Sequence, residues 1–94
     1  MQLLFTKLDE TGDTPTTFEL NDATAIDDAM KAFHDIVSTH RHLAYRRTAS
    51  DQKSNLTAFT PEQGATQEVN RQKFLDHIGR DTVEIVFHPV VIGG

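Results

Sequence analysis

The chain contains no cysteine. Disulfide staples, thiolate metal sites and a cysteine nucleophile are excluded together. No apolar run approaches the ~18–20 residues that a membrane-spanning helix needs. Met1-Gln2-Leu3 opens directly on a strand pattern rather than on a signal peptide, so the expectation is a cytoplasmic protein with no membrane partner. Basic residues are in deficit: 9 Lys and Arg stand against 14 Asp and Glu, a net charge of −5. That balance argues against a nucleic-acid partner and favours a basic protein surface. Glycine is sparse, and the three interior ones, Gly12, Gly64 and Gly79, are isolated, so no glycine-rich phosphate loop is present. There is no nucleophile–base pair, internal repeat or low-complexity tract. The 94 residues leave room for one domain, residues 1–94. A chain of this size buries roughly 60–65% of its unfolded surface, enough to fold alone with little margin.

What is present is a strongly patterned set of short elements. Leu3, Phe5 and Lys7 alternate with Leu4, Thr6 and Leu8, a first strand apolar on both faces near its start. Asp9 to Pro15 is turn chemistry, and Phe18 and Leu20 resume the alternation, so a hairpin is predicted. Ile26, Met30, Phe33 and Val37, flanked by Ala29 and Ile36, form one helical stripe. A helix from Thr24 to Thr39 follows, capped by Thr24 with Asp27 reaching back. Asp27 and Asp28 then lie near its positive end and His40-Arg41-His42 near its negative end. Its stripe is one-sided, so it must lie across a sheet.

Leu43 to Thr48 is a third strand with Leu43 and Tyr45 inward. The long polar stretch Ala49 to Ala65 contains little apolar material beyond Leu56, Ala58 and Phe59; Leu56 to Phe59 is read as an edge strand or part of a mobile segment. Thr66 to Arg71 reads as a weak polar edge strand, and Phe74, Leu75 and Ile78 as a single anchored helical turn. In the last strand, Val83, Ile85 and Phe87 alternate with Glu84 and His88, while Val86 makes the second face partly apolar. Such a strand belongs in the sheet interior. Pro89 cannot donate to a ladder, so pairing is expected to stop there and an extended tail, about residues 89–94, to begin. The fold class is α+β, a mixed sheet of four to five strands with one main helix packed across it. A hairpin, a crossing helix and a last strand returning beside the first is the β-grasp arrangement.

The tail Pro89-Val90-Val91-Ile92-Gly93-Gly94 has a chemical reading of its own. A carboxylate threaded through a narrow channel to a nucleotide needs residues without a Cβ behind it, and glycine accepts backbone angles other residues do not. The segments Glu68 to Gln72, Asp76-His77 and Arg80 to Gly94 resemble the ubiquitin-like proteins, most closely the MoaD/ThiS sulfur carriers. Small molybdopterin-synthase subunits of that family carry a similar Val-Asn strand and a last strand ending Phe-Pro-Pro-Val-x-Gly-Gly. Here His88 replaces the first of those prolines and an additional Val-Ile pair precedes the glycines. The polar segment from Ala49 to Ala65 is a further departure.

The resemblance implies a carrier, not an enzyme. An adenylating enzyme of the ubiquitin-activating type would use ATP and magnesium to activate the Gly94 carboxylate, and sulfur transfer would convert it to a thiocarboxylate. A larger synthase subunit, another sulfur acceptor or a protein lysine would then receive it. Gly94 would react, Gly93 give clearance, and Phe87, Pro89, Val90, Val91 and Ile92 face the partner. No cofactor is bound permanently. With no cysteine, any sulfur would ride on the main chain. The alternative is a non-catalytic ubiquitin-like interaction module, such as a phage tail-assembly protein, whose glycines are incidental. His40 and His42 share a face only if the chain is extended there, and without a third ligand they make no metal site. The carboxylates Asp9-Glu10, Asp13 and Asp27-Asp28 are accounted for by a turn and a helix start.

Overall fold

The structure, a computed structural model, describes residues 1–39 and 41–90. The alternation of Leu3 and Phe5 with Leu4 and Thr6 becomes strand β1, Gln2–Asp9, with Leu3 and Phe5 buried. Only Glu10 and Thr11 separate it from β2, Gly12–Glu19, and Asp9 pairs with Gly12. The turn is tighter than the acidic run suggests because Gly12 takes φ +126°, a value that residues with a Cβ rarely adopt. Pro15 falls inside β2, opposite Thr6. Counting out from the hydrogen-bonded closing pair, its nitrogen faces the open edge of the sheet, so the ladder loses no bond.

Helix α1, Ala23–Val37, buries Ile26, Ala29 and Phe33 as its stripe requires. Its cap is not Thr24. Asp22 holds the extended cap conformation and its Oδ1 accepts the Ala25 N–H at 2.8 Å. An acidic cap accepts that amide and complements the helix dipole at once. Asp27 does not reach back to the cap; it bonds Arg71 instead.

Strand β3, His42–Thr48, is one side-chain position out of phase with the sequence reading. Ala44 is buried, whereas Leu43 is 53% exposed. The register explains it: Ala44 pairs with Phe87, and a small side chain beside that ring is what lets the ring lie inward. A shift of one residue turns every side chain over. His42 likewise belongs to β3 rather than to the end of α1. Strand β4, Lys53–Leu56, precedes the predicted Leu56 to Phe59, and buries only Leu56.

The largest difference is helix α2, Gln67–Ile78, which replaces both the polar strand and the single turn. Thr66 caps it, Oγ1 accepting the Val69 N–H at 3.2 Å. Its buried residues are Asn70, Phe74, Leu75 and Ile78, a helical stripe whose first position is polar. The Asn70 side chain accepts from the Glu62 N–H at 2.9 Å and donates to the Glu62 carbonyl at 3.3 Å. It therefore ties the preceding loop to α2 as a paired backbone would. Phe59 packs on Phe74, and His77 Nε2 meets the Thr57 carbonyl at 2.7 Å, so the polar stretch is fastened at several points. Gly79 ends α2 at φ +89°, with the Arg46 guanidinium where a Cβ would stand.

Strand β5, Thr82–Pro89, enters the middle of the sheet, whose order is β2-β1-β5-β3-β4. It runs parallel to β1 and antiparallel to β3. With α1 and α2 packed on one face, this is an α+β domain in the β-grasp arrangement. All six phenylalanines join one chain of ring contacts, in the order Phe18, Phe5, Phe87, Phe33, Phe74, Phe59. Ile85 and Phe87 are fully buried. Among the described residues no helix is long and apolar enough to cross a membrane.

Candidate functional site: the exit of the last strand and the open sheet face

The two neighbours of β5 do not hold it over the same length. Pairing with β1 ends at Lys7 opposite Phe87, while pairing with β3 continues to His42 opposite Pro89. The Val90 N–H then donates to the Arg41 carbonyl at 2.7 Å, so the strand is held one residue beyond the proline. Bonds to β3 alternate along β5, and with Val90 bonded to Arg41 the Pro89 nitrogen points toward β1. Proline thus ends the parallel ladder and leaves the antiparallel one intact. The expectation that all pairing stops at Pro89 holds for one side only.

A hollow of about 520 Å³ lies beside this exit, between Asp9, Glu10, Thr11, Arg41, Pro89 and Val90. His42 closes its floor. This ring is 9% exposed, and Nε2 lies 3.0 Å from Asp9 Oδ1 and 3.3 Å from the Leu8 carbonyl. The hydrogen bond to His42 holds the Asp9 carboxyl below the usual range despite some desolvation, with Lys7 helping at 3.5 Å.

On the sheet face away from the helices, Leu43, Tyr45, Val86 and His88 line a groove of about 1160 Å³. The Tyr45 and His88 rings meet edge-on at 5.2 Å. At its far end Glu84 receives the Thr6 hydroxyl at 2.7 Å and the Arg47 Nε at 2.9 Å. Burial pushes the Glu84 carboxyl up, but these two bonds and the Arg47 charge together outweigh it and hold it below the ordinary glutamate value.

Of the residues assigned to the partner contact, Pro89 and Val90 are exposed at the exit. Phe87 is a correction: its side chain is wholly buried against Phe5 and Phe33 and offers nothing to a partner, because odd positions of β5 face the helices. Val91, Ile92, Gly93 and Gly94 lie outside the described residues, as does His40. Leu43 was missed by reading β3 in the wrong phase, and the pairing of Ala44 with Phe87 that fixes the phase is known only from the sheet register.

Comparison with family models, curated proteins and solved structures returns no match. The Val69-Asn70 pair quoted for the sulfur-carrier resemblance lies in α2 rather than in a strand. The likeness of that segment is therefore one of letters, and the resemblance rests on β5 and the tail.

Proposed function

We propose that the chain is a ubiquitin-like carrier whose Gly94 carboxylate is activated by an ATP-dependent adenylating enzyme and then carries sulfur or joins a partner protein. The observation that supports the reading is the end of β5. The strand lies between two neighbours, leaves one before Pro89, is still held by the other at Val90, and is followed in sequence by an uncharged Val-Ile-Gly-Gly. Four residues beyond Val90 span at most about 14 Å. A carboxylate on so short a leash reaches a nucleotide only if the enzyme closes around the exit, where Asp9, Glu10 and Arg41 stand.

The chemistry asked of the chain is small. A carboxylate oxygen attacks the α-phosphate of ATP and pyrophosphate leaves. The acyl-adenylate then has AMP as its leaving group, and a sulfur or amine nucleophile attacks the carbonyl beside a glycine with no Cβ to obstruct it. All catalytic groups belong to the partner, which uses ATP as its substrate together with magnesium; neither resides in this protein. The final acceptor is a synthase subunit, another sulfur acceptor or a lysine side chain.

The test is ATP–pyrophosphate exchange with a cognate adenylating enzyme, together with the intact mass of the natural protein to show that Gly94 bears the free carboxylate. Native chain should support exchange. Deleting Gly93-Gly94 or appending one residue should abolish it with the fold retained, and Gly93→Val should act similarly through its branched Cβ. Exchange by the truncated chain at the native rate overturns the reading. A non-catalytic interaction module then replaces it, a reading that the open apolar face around the 53%-exposed Leu43 favours.

A further inference from the structure

The register of β1 shows which bond is missing at the exit. The Leu20 N–H donates to the Met1 carbonyl, so odd positions of β1 bond β2 and even ones face β5. Carried two residues past Lys7 and Phe87, the parallel register sets Asp9 beside Pro89. In that register the donor for the Leu8 carbonyl is the nitrogen of residue 89. Proline has no hydrogen there to give. The carbonyl is met all the same: His42 Nε2 lies 3.3 Å from it and 3.0 Å from Asp9 Oδ1. His42 stands opposite Pro89 in the other ladder. Its buried ring therefore spans the last strand at the level of the proline and meets the strand beyond. Both partners are acceptors. A carbonyl oxygen bears no hydrogen, and the Asp9 carboxyl is held below its usual range, chiefly by this bond. The hydrogen is then on Nε2, shared between two oxygens.

We propose that His42 is the positioning residue of the strand exit: its Nε2–H replaces the amide that Pro89 lacks and ties β1 to β3 across β5. The frame from which the chain leaves at Val90 is thus closed by a side chain where a sheet would ordinarily use main chain. The division of labour has a physical sense. Proline removes the bond between the departing segment and β1, so the segment keeps only its link to the Arg41 carbonyl. Histidine restores the lost donor from outside that segment, so β1 and β3 stay together whatever the chain beyond Val90 does. A partner closing around the exit then meets a fixed rim and a strand end held on one side. The effect on activation of Gly94 rests on the carrier reading; the bond itself does not.

Nitrogen–proton correlation spectra of the isotope-labelled full chain show which ring nitrogen bears the hydrogen. The expected result is hydrogen on Nε2 of His42. A ring with hydrogen on Nδ1 alone overturns the proposal, since Nε2 would then have nothing to donate. A double-mutant cycle tests the replacement of the amide. His42→Leu should speed exchange of the Val90 amide about tenfold, the effect of one hydrogen bond lost at a half-buried carbonyl. His42→Gln, which keeps a side-chain N–H donor, should stay within about threefold of native. Pro89→Ala returns an N–H to the Leu8 carbonyl, and in that background His42→Leu should speed exchange no more than about twofold. Equal effects of His42→Leu in the two backgrounds overturn the proposal, as does a glutamine that restores nothing. Should His42→Leu fail to fold, the ring spectrum of the native chain still decides. With a cognate adenylating enzyme, His42→Leu should raise the KM for the chain about three- to tenfold, with kcat within about twofold and rescue by His42→Gln. An unchanged KM overturns the positioning role. Absence of exchange with the native chain overturns the carrier reading instead, and the ring spectrum and the cycle stand apart from it.

Discussion

Phe87 touches Phe5 and Phe33 at ring separations of 5.2 and 5.9 Å and stands at the middle of the phenylalanine chain. Truncating a buried phenylalanine costs ~3–5 kcal/mol, comparable with the whole stability of a small domain. Phe87→Ala is therefore expected to be largely unfolded, and a urea curve matching that of the native chain would remove β5 from the core. Asn70 is the polar counterpart, 6% exposed and holding both backbone groups of Glu62. Asn70→Ala leaves those groups without their partner and should cost roughly 1–3 kcal/mol. Local exchange around Glu62 should speed up more than that of β5. Equal acceleration everywhere would mean that Asn70 acts on global stability alone.

Helices α1 and α2 are clasped by a forked ion pair, Arg71 Nε and Nη2 each donating to Asp27 at 2.9 Å. The bonds from Arg71, then that from Gln67, lower the Asp27 carboxyl from 3.8 to about 2. A carboxyl whose folded pKa lies below its unfolded value stabilises the fold above the unfolded pKa. That contribution is lost as pH falls through the window between the two. Between pH 4 and 2 the urea midpoint should fall less steeply in Asp27→Asn than in the native chain; parallel curves would show the clasp to be energetically silent. The elements themselves were unevenly legible. The α1 stripe and the inward face of β5 could be read because their apolar residues keep period 3.6 or 2, and the hairpin because turn residues separate Leu3 and Phe5 from Phe18 and Leu20. Helix α2 could not, because its stripe begins with Asn70 and Phe74 to Ile78 alone spans barely one turn. The phase of β3 was hidden since Leu43 and Tyr45 look more like core than Ala44 does, and only the partner Phe87 decides between them. At the exit, Pro89 was visible from the sequence, but its dependence on which neighbour its nitrogen faces was not.

Across the whole molecule, protection should follow position in the sheet. Amides of β5 are covered by ladders on both sides and should exchange last, those of β2 and β4 first. Equal protection of β4 and β5 in the free chain would be inconsistent with an open β4 edge. The parallel pairing of β1 with β5 also settles how the molecule answers to force. Leu4 to Lys7 lie beside Glu84 to Phe87 in the same direction. A pull on Met1 and Val90 therefore drags the two strands past each other, loading their bonds together. A pull on Met1 and Leu20, which sit side by side at the open end of the hairpin, peels bonds one after another. With no native thiol to compete, cysteines introduced at either pair would hold the handles cleanly. In single-molecule pulling the first geometry should rupture at a distinctly higher force than the second, since forced unfolding follows the barrier rather than the equilibrium. The same fold is a shear joint along its length and a zipper across it.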